Sequence, residues 1–555
     1  MKAEKVEATT PRKRFMSNRD KSASVALQIT PCGGAREAGR SCCHVETAEH
    51  DYLIDCGLKQ SHVTKYPDFG GIDRGQIDAV FLTHAHVDHI GALPIVESRG
   101  LLAEDAPIIT TRPTSAIAHI LLHDSLKIHK LEADERNQPT QFTTDDVTAV
   151  LNRFEGLGYD RGVIHDLEYE FGNDGHLLGS AWLAIEHMGR QVLFSGDLGG
   201  RSAHLKAIDD PPKTDLLFLE STYGDTLTHR SFDDARTELY EIVLDAVREE
   251  VPVLIPTFGV GRAQEILQLF REREANLPPE VANELELVYD GLIQDSMQVY
   301  DVFATEEYVN ETLLNYRINS GDAEPFLPDR ARTPETQDER EALLDGERAP
   351  VIVAPSGMLE GGWSPYYLWQ LAEHYEEARV VFIGYQAANT VGRELLEAPG
   401  DLVGVTVSAL MWGERADDPA AEGYDFHEKA IEVPTSWLRQ VDGMSGHAAA
   451  NTFLKFARTS GGDRIDLVHG SVSAGETLRE HLMSNTDATV ELAKTGTTIT
   501  LEADDSRLPS GERIGDTEVN ATLAELQQRQ QQLQAELDAL DDQIEHYARM
   551  QENDQ

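Results

Sequence analysis

The segment His84-Ala85-His86-Val87-Asp88-His89 constrains this chain more than any other part of it. An apolar run over 79–83 precedes it and a helical pattern over 90–98 comes after it, so its polar side chains sit on a loop at a sheet edge. Alternate residues of an extended loop point the same way, so His84 and His86 face one point. Asp88 and His89, at the helix start, face a neighbouring one. A chance match somewhere in the chain has odds on the order of a few in a thousand, and a helix cap has no use for three imidazoles. Borderline nitrogen mixed with hard oxygen suits zinc, with manganese as the alternative.

Two adjacent sites need more ligands than one loop supplies. Gly175-His176-Leu177-Leu178-Gly179-Ser180 offers His176, and Leu467-Val468-His469-Gly470 offers His469 after a strand. Phe194-Ser195-Gly196-Asp197-Leu198-Gly199 puts Asp197 at a strand end, where a carboxylate can bridge two ions. Each alone is weak, since a strand-end His or Asp is more often a turn residue. Together they complete two sites. Asp55, in Leu53-Ile54-Asp55-Cys56-Gly57, ends another strand and is expected to accept the free N–H of a ligating His, fixing its tautomer.

The surrounding pattern is α/β. Short β-rich runs at 27–29, 42–47, 52–54, 182–187, 191–194 and 216–219, with a helix over 115–132, predict sheets in the middle and helices outside. A second unit begins with a helix over 232–250, a strand over 253–256 and a helix over 261–273. Apolar runs at 351–354 and 380–383 fit parallel strands covered on both faces. Residues 304–349 are charged and proline-bearing, which predicts a partly ordered insertion, and the polar stretch 1–26 predicts a disordered tail. Leu523, Leu526, Gln530, Leu533, Leu537, Leu540, Ile544 and Tyr547 step by three and four, predicting a C-terminal coiled-coil helix within 516–550 and, through it, a homodimer or other assembly.

Charge bears on the choice of substrate. The chain of 555 residues carries 97 Asp plus Glu against 48 Lys plus Arg, a formal net charge of -49. The acids are interspersed, as on a hydrated surface suited to high salt, and in this the chain resembles proteins of halophilic microbes. Net charge then no longer argues against a nucleic-acid partner. Cys32, Cys42, Cys43 and Cys56 match no CxxC module. With no secretory signal and no apolar run near 20 residues, they read as reduced thiols of a cytoplasmic protein without a membrane span.

The metal residues, in this order, resemble the metallo-β-lactamase fold, and the motifs downstream of the first ligand loop resemble its β-CASP branch, which processes nucleic acids. The resemblance runs from about 27 to 499. Beyond the ligands it is carried by Leu219-Glu220-Ser221-Thr222-Tyr223-Gly224-Asp225, Ile255-Pro256-Thr257-Phe258, Gly261-Arg262-Ala263-Gln264-Glu265, Pro355-Ser356-Gly357-Met358, Gly384-Tyr385-Gln386 and Ser445-Gly446-His447-Ala448. The chain is similar to the cleavage and polyadenylation endonuclease subunit and its prokaryotic RNA-degrading relatives.

That resemblance implies an αββα sandwich formed by 27–221 and 439–502, with an α/β β-CASP domain inserted over 222–438. It assigns one Zn2+ to His84, His86 and His176 and a second to Asp88, His89 and His469, with Asp197 bridging. It implies a zinc-dependent ribonuclease, endonucleolytic or 5′-3′ exonucleolytic, with hydroxide activated between two metals. The catalytic set is then Asp55, Asp88, Glu220 and His447, with His447 as proton donor held charged by Glu220. Ser445 and Gly446 would bind a phosphate, and Arg262 and Arg393 would line an RNA groove. Without the resemblance, His447 reads as a neighbour of Ser445 at the start of a helix over 449–458. A small-substrate hydrolase of the same fold, a DNA nuclease and a non-catalytic RNA-binding subunit are the competing readings. The long insertion speaks against the first, and the complete ligand set against the last.

Overall fold

A computed structural model describes residues 25–507 apart from 60–63, 136–137, 347, 388, 415–421 and 505. The coiled coil expected within 516–550 lies outside these residues, as does the expected N-terminal tail except for its last two residues. Those two already belong to a strand, Val25–Gly33.

Two seven-stranded sheets lie among the described residues. In the first, Val25–Gly33 pairs antiparallel with Cys42–Glu46 on one side and with Ile499–Glu502 on the other, so residues near both ends of the described chain close the same sheet. Asp51–Ile54, Ile77–Phe81, Ile108–Thr111 and Phe154–Leu157 continue it. In the second, Leu216–Glu220 lies parallel between Arg190–Phe194 and Arg464–Val468. Thr489–Leu492 forms one edge of that sheet, and Ala181–His187, Leu167–Asn173 and Arg161–Ile164 extend it on the other side. Leu27, Ile29, Tyr52 and Phe81 of the first sheet share one core with Phe171, Leu183, Phe194 and Phe218 of the second. Phe194 and Phe218 stack at 5.0 Å, and each such fully buried side chain contributes about 1.5–3 kcal/mol. The helix Ala450–Ser460 covers the outer face of the second sheet through Phe453, Leu454 and Phe456. The expected αββα layering is therefore the observed one.

Between the adjacent strands Leu216–Glu220 and Arg464–Val468 the chain leaves to build a third, all-parallel sheet. Its order is Glu286–Tyr289, Pro350–Ala354, Val253–Pro256, Arg379–Phe382, Leu438–Gln440. The central strands are buried throughout, which is why they read as unbroken apolar runs. A hairpin of two 13-residue strands, Leu402–Glu414 and Glu422–Pro434, is an addition to the expected elements. It buries Val403, Val405, Val407 and Ala409 on alternate positions against the core of this unit.

The segment 304–349 differs from expectation. It is ordered through the described residues, with helices Glu311–Ser320 and Gln337–Leu344. Several of its apolar residues turn inward: Tyr308, Leu313, Phe326 and Leu343 are each at most 4% exposed, while Tyr316 and Ile318 stay exposed. Arg271 adds an ion pair to Asp322 at 2.6 Å. No helix among the described residues is long and apolar enough to cross a membrane.

Candidate metal centre

Two residues past the strand Ile77–Phe81 comes Thr83, whose backbone N–H donates to Asp55 Oδ1 at 2.8 Å and whose hydroxyl donates to Asp55 Oδ2 at 2.9 Å. The chain then passes through His84 and His86 into a one-turn helix, Val87–Ile90. Close backbone approach fixes that loop. Ser41 N–H donates to Asp88 O at 2.8 Å and Cys56 N–H to His89 O at 2.7 Å. A Cβ at position 57 would stand 1.6 Å from Asp88 O, so only glycine fits there.

Loops from distant sequence meet at this point. His84, His86, His176 and Asp197 bring one ligand atom each within 4.8 Å of one another, and Asp88, His89 and His469 do the same. These are the two groups expected from the sequence. Asp197 joins them: its Oδ2 lies 3.6 Å from His84 Nε2 and 3.5 Å from His89 Nε2, and its Oδ1 lies 3.5 Å from His469 Nδ1. His469 Nε2 is 3.0 Å from Asp88 Oδ2, and His176 Nε2 is 3.2 Å from His86 Nδ1.

A group of donors this dense is costly unless something satisfies it. His84 Nε2, His86 Nε2 and Asp197 Oδ1 are buried with no hydrogen-bond partner among the described residues. Burial holds His84 and His176 well below the usual imidazole range and His86 at about 4, so all three are in the neutral, ligating form. Burial would raise Asp197, but His469, His89 and His447 around it outweigh that and keep it an anion. Three neutral imidazoles beside an anionic carboxylate, with orphaned lone pairs converging, fit a divalent cation.

Three of these residues are tied down from behind. His89 Nδ1 lies 2.8 Å from Asp55 Oδ2, the contact expected from sequence. His176 Nδ1–H donates to Gly446 O at 3.1 Å. Thr222 Oγ1 donates to His469 O at 3.0 Å and lies 3.2 Å from Nδ1. Sequence reasoning does not single out Thr222, nor Asp174. That fully buried carboxylate accepts from His176 N–H at 3.0 Å and from the Ser180 hydroxyl, setting the His176 turn. An Asp two residues before a His is a turn signal, and turn signals are too common to reveal a role.

His447 stands beside the bridge, its Nδ1 3.2 Å from Glu220 Oε1 and 4.0 Å from Asp197 Oδ2. Glu220 is fully buried, and its carboxylate also accepts from Leu198 N–H at 2.8 Å and Thr222 N–H at 3.2 Å. Burial would lower His447, but Glu220 and then Asp197 outweigh it and raise it to about 9. Its Nε2 makes no hydrogen bond among the described residues. The helix-start reading does not hold, because the helix begins at Ala450, with Ala449 as its cap and no side-chain bond. The Ser445 hydroxyl instead accepts from His447 N–H at 3.1 Å within its own loop.

The arginines depart from expectation. Arg262 is 7% exposed and donates to Met444 O at 3.3 Å, beneath the Ser445–His447 loop. It braces that loop and does not line an open groove. Arg393 is half-exposed and paired with Glu397 one helical turn on. All four cysteines are free and buried.

Three family models match the chain: a metallo-beta-lactamase superfamily domain over residues 44–208, a Beta-Casp domain over 263–395, and a Zn-dependent metallo-hydrolase RNA specificity domain over 430–493. Ribonuclease TTHA0252 of Thermus thermophilus is 30% identical over 456 residues, which are 80% of this chain and 93% of that one. The probable RNase MJ4 of Methanocaldococcus jannaschii is 30% identical over 388 residues, 68% of this chain and 83% of its own. The transcription termination factor FttA of the same organism is 30% identical over 469 residues, and the match spans 80% of this chain and 67% of the factor.

Proposed function

The chain belongs to the β-CASP metallo-hydrolases of the metallo-β-lactamase superfamily, and we propose that it hydrolyses RNA phosphodiester bonds with two zinc ions. His84, His86 and His176 would hold one, Asp88, His89 and His469 the other, and Asp197 both. The observation that carries the reading is the meeting of both ligand groups on Asp197, with the His447–Glu220 pair 4.0 Å away. RNA is favoured over DNA by the RNA specificity domain over 430–493, and by two relatives named as ribonucleases. The chain matches about two thirds of the length of the termination factors, so the reading rests on the ribonucleases.

Two such ions, when bound, lower the pKa of a water and act as Lewis acids on a phosphate oxygen. The chain's own residues supply the rest. Asp55 and the Gly446 carbonyl hold His89 and His176 in the tautomer that turns Nε2 toward the centre. Glu220, fixed by two backbone donors, keeps His447 protonated and leaves its Nε2 to the substrate. His447 Nε2 gives its proton to the leaving 3′ oxygen, so the products carry 5′-phosphate and 3′-hydroxyl ends.

The test uses RNA labelled at either end and incubated with the purified protein in molar KCl, with product ends identified. Wild-type protein should cut the RNA. His447→Ala should retain its zinc and RNA affinity and lose about 100- to 10,000-fold in turnover. Undiminished cutting by that variant would remove His447 as the proton donor, and intact RNA with wild type would remove the ribonuclease reading.

A further inference from the structure

Two large apolar side chains stand exposed on the β-CASP side of the metal centre. Phe258 is 41% exposed and Tyr385 52%. Exposing such rings costs free energy unless something covers them. Both lie just past the carboxyl ends of adjacent parallel strands, Val253–Pro256 and Arg379–Phe382, the edge at which open parallel sheets receive ligands.

Their positions relative to the catalytic groups differ. The Phe258 ring lies 6.2 Å from that of His86, on the side of the first ligand group. The Tyr385 ring lies 6.4 Å from Tyr223, which is itself 6.5 Å from His447. One ring therefore flanks the metal ligands, and the other stands on the His447 side with Tyr223 between them. Both are held in place. Gln386, buried beside Tyr385, donates to Gly357 O at 2.9 Å, and the chain at Gly357 packs against the Thr257–Phe258 backbone, where a Cβ would stand 3.2 Å from Phe258 N. Thr257 N–H donates to Ala354 O at 3.0 Å. The two rings are thus presented by neighbouring loops stapled to each other.

Meanwhile the cations expected at the groove are committed, Arg262 to Met444 O and Arg393 to Glu397. In a chain with a net charge of -49, phosphate contacts are a poor source of affinity, and salt weakens them further. Base stacking on an aromatic face is neutral and accepts any base.

We propose that Phe258 and Tyr385 are base-stacking platforms on either side of the scissile phosphate, so that the enzyme grips single-stranded RNA by its base faces. The proposal rests on the ribonuclease reading. Phe258 takes the nucleotide beside the metal ligands and Tyr385 one on the His447 side, beyond Tyr223.

Initial-rate kinetics on a short single-stranded RNA test this in wild type, Phe258→Leu, Tyr385→Leu and Tyr385→Phe. Each Leu variant should raise KM roughly five- to a hundred-fold with kcat little changed, and Tyr385→Phe, which keeps the ring, should match wild type. An RNA with an abasic residue at the matching position should reproduce the loss in wild type and show no further loss in the Leu variant. RNA cut by wild type with unchanged KM in both Leu variants would overturn the proposal alone. So would a Tyr385→Phe loss as large as that of Tyr385→Leu, since the hydroxyl and not the ring would then be the contact. RNA left uncut by wild type would overturn the ribonuclease reading and this proposal with it.

Discussion

An imidazole that is to hold a metal through one nitrogen must carry its proton on the other, and at His89 Asp55 lies 2.8 Å from Nδ1 to hold it there. Asp55→Asn keeps the shape and removes the charge. It should weaken zinc binding roughly 10- to 100-fold, read by competition with a chromogenic chelator. Wild-type affinity in that variant would mean that Asp55 only closes a turn. Glu220 has the matching role toward His447. A proton donor works in its protonated form, so with His447 raised to about 9 the rate should hold below that pH and fall above it. Glu220→Gln removes the nearest carboxylate and should move this alkaline limb of kcat to lower pH. A limb that stays in place would detach Glu220 from the proton transfer.

At the level of elements, legibility in the sequence depends on how each residue is constrained. The loop 84–89 announces itself because three imidazoles and a carboxylate at that spacing have no structural use. The parallel strands Val253–Pro256 and Pro350–Ala354 are legible because both faces are covered, leaving continuous apolar runs. Thr222 is not legible because only the fold brings it to His469, and Asp174 because an Asp two residues before a His reads as an ordinary turn. The hairpin over 402–434 carries a period-two pattern, but with only one face buried its signal is weaker than that of the parallel strands. The segment 304–349 misleads for a different reason: its composition is that of a loop, and tertiary packing overrides it. Phe326, fully buried, meets Tyr300 at 5.5 Å and His204 at 5.1 Å, edge to face. Phe326→Ala should therefore cost about 3–5 kcal/mol in denaturant unfolding, where a loosely attached insertion would show almost none.

At the scale of the molecule, the inserted domain is what turns a metal centre into a cleft. It leaves and returns between two neighbouring strands of one sheet. It carries Phe258 and Tyr385 on its near edge, and the loop after its last strand, Leu438–Gln440, supplies Ser445, Gly446 and His447. That loop reaches back into the sandwich, where Gly200 N–H donates to Gly446 O at 2.8 Å and Ala448 N–H to Leu198 O at 2.7 Å. His447, the proposed proton donor, is thus anchored to the strand end that holds Asp197. The net charge of -49 lies on a surface whose self-repulsion salt relieves, which is consistent with a nuclease that relies little on cationic patches.

The central claim, RNA hydrolysis by a two-ion centre, is tested most directly by stripping the protein with EDTA and measuring RNA cleavage as zinc is titrated back. The two-ion centre predicts no cleavage without metal and a rise that saturates at two equivalents per chain. Cleavage that survives stripping, saturation at one equivalent, or RNA left intact at every zinc concentration would contradict it.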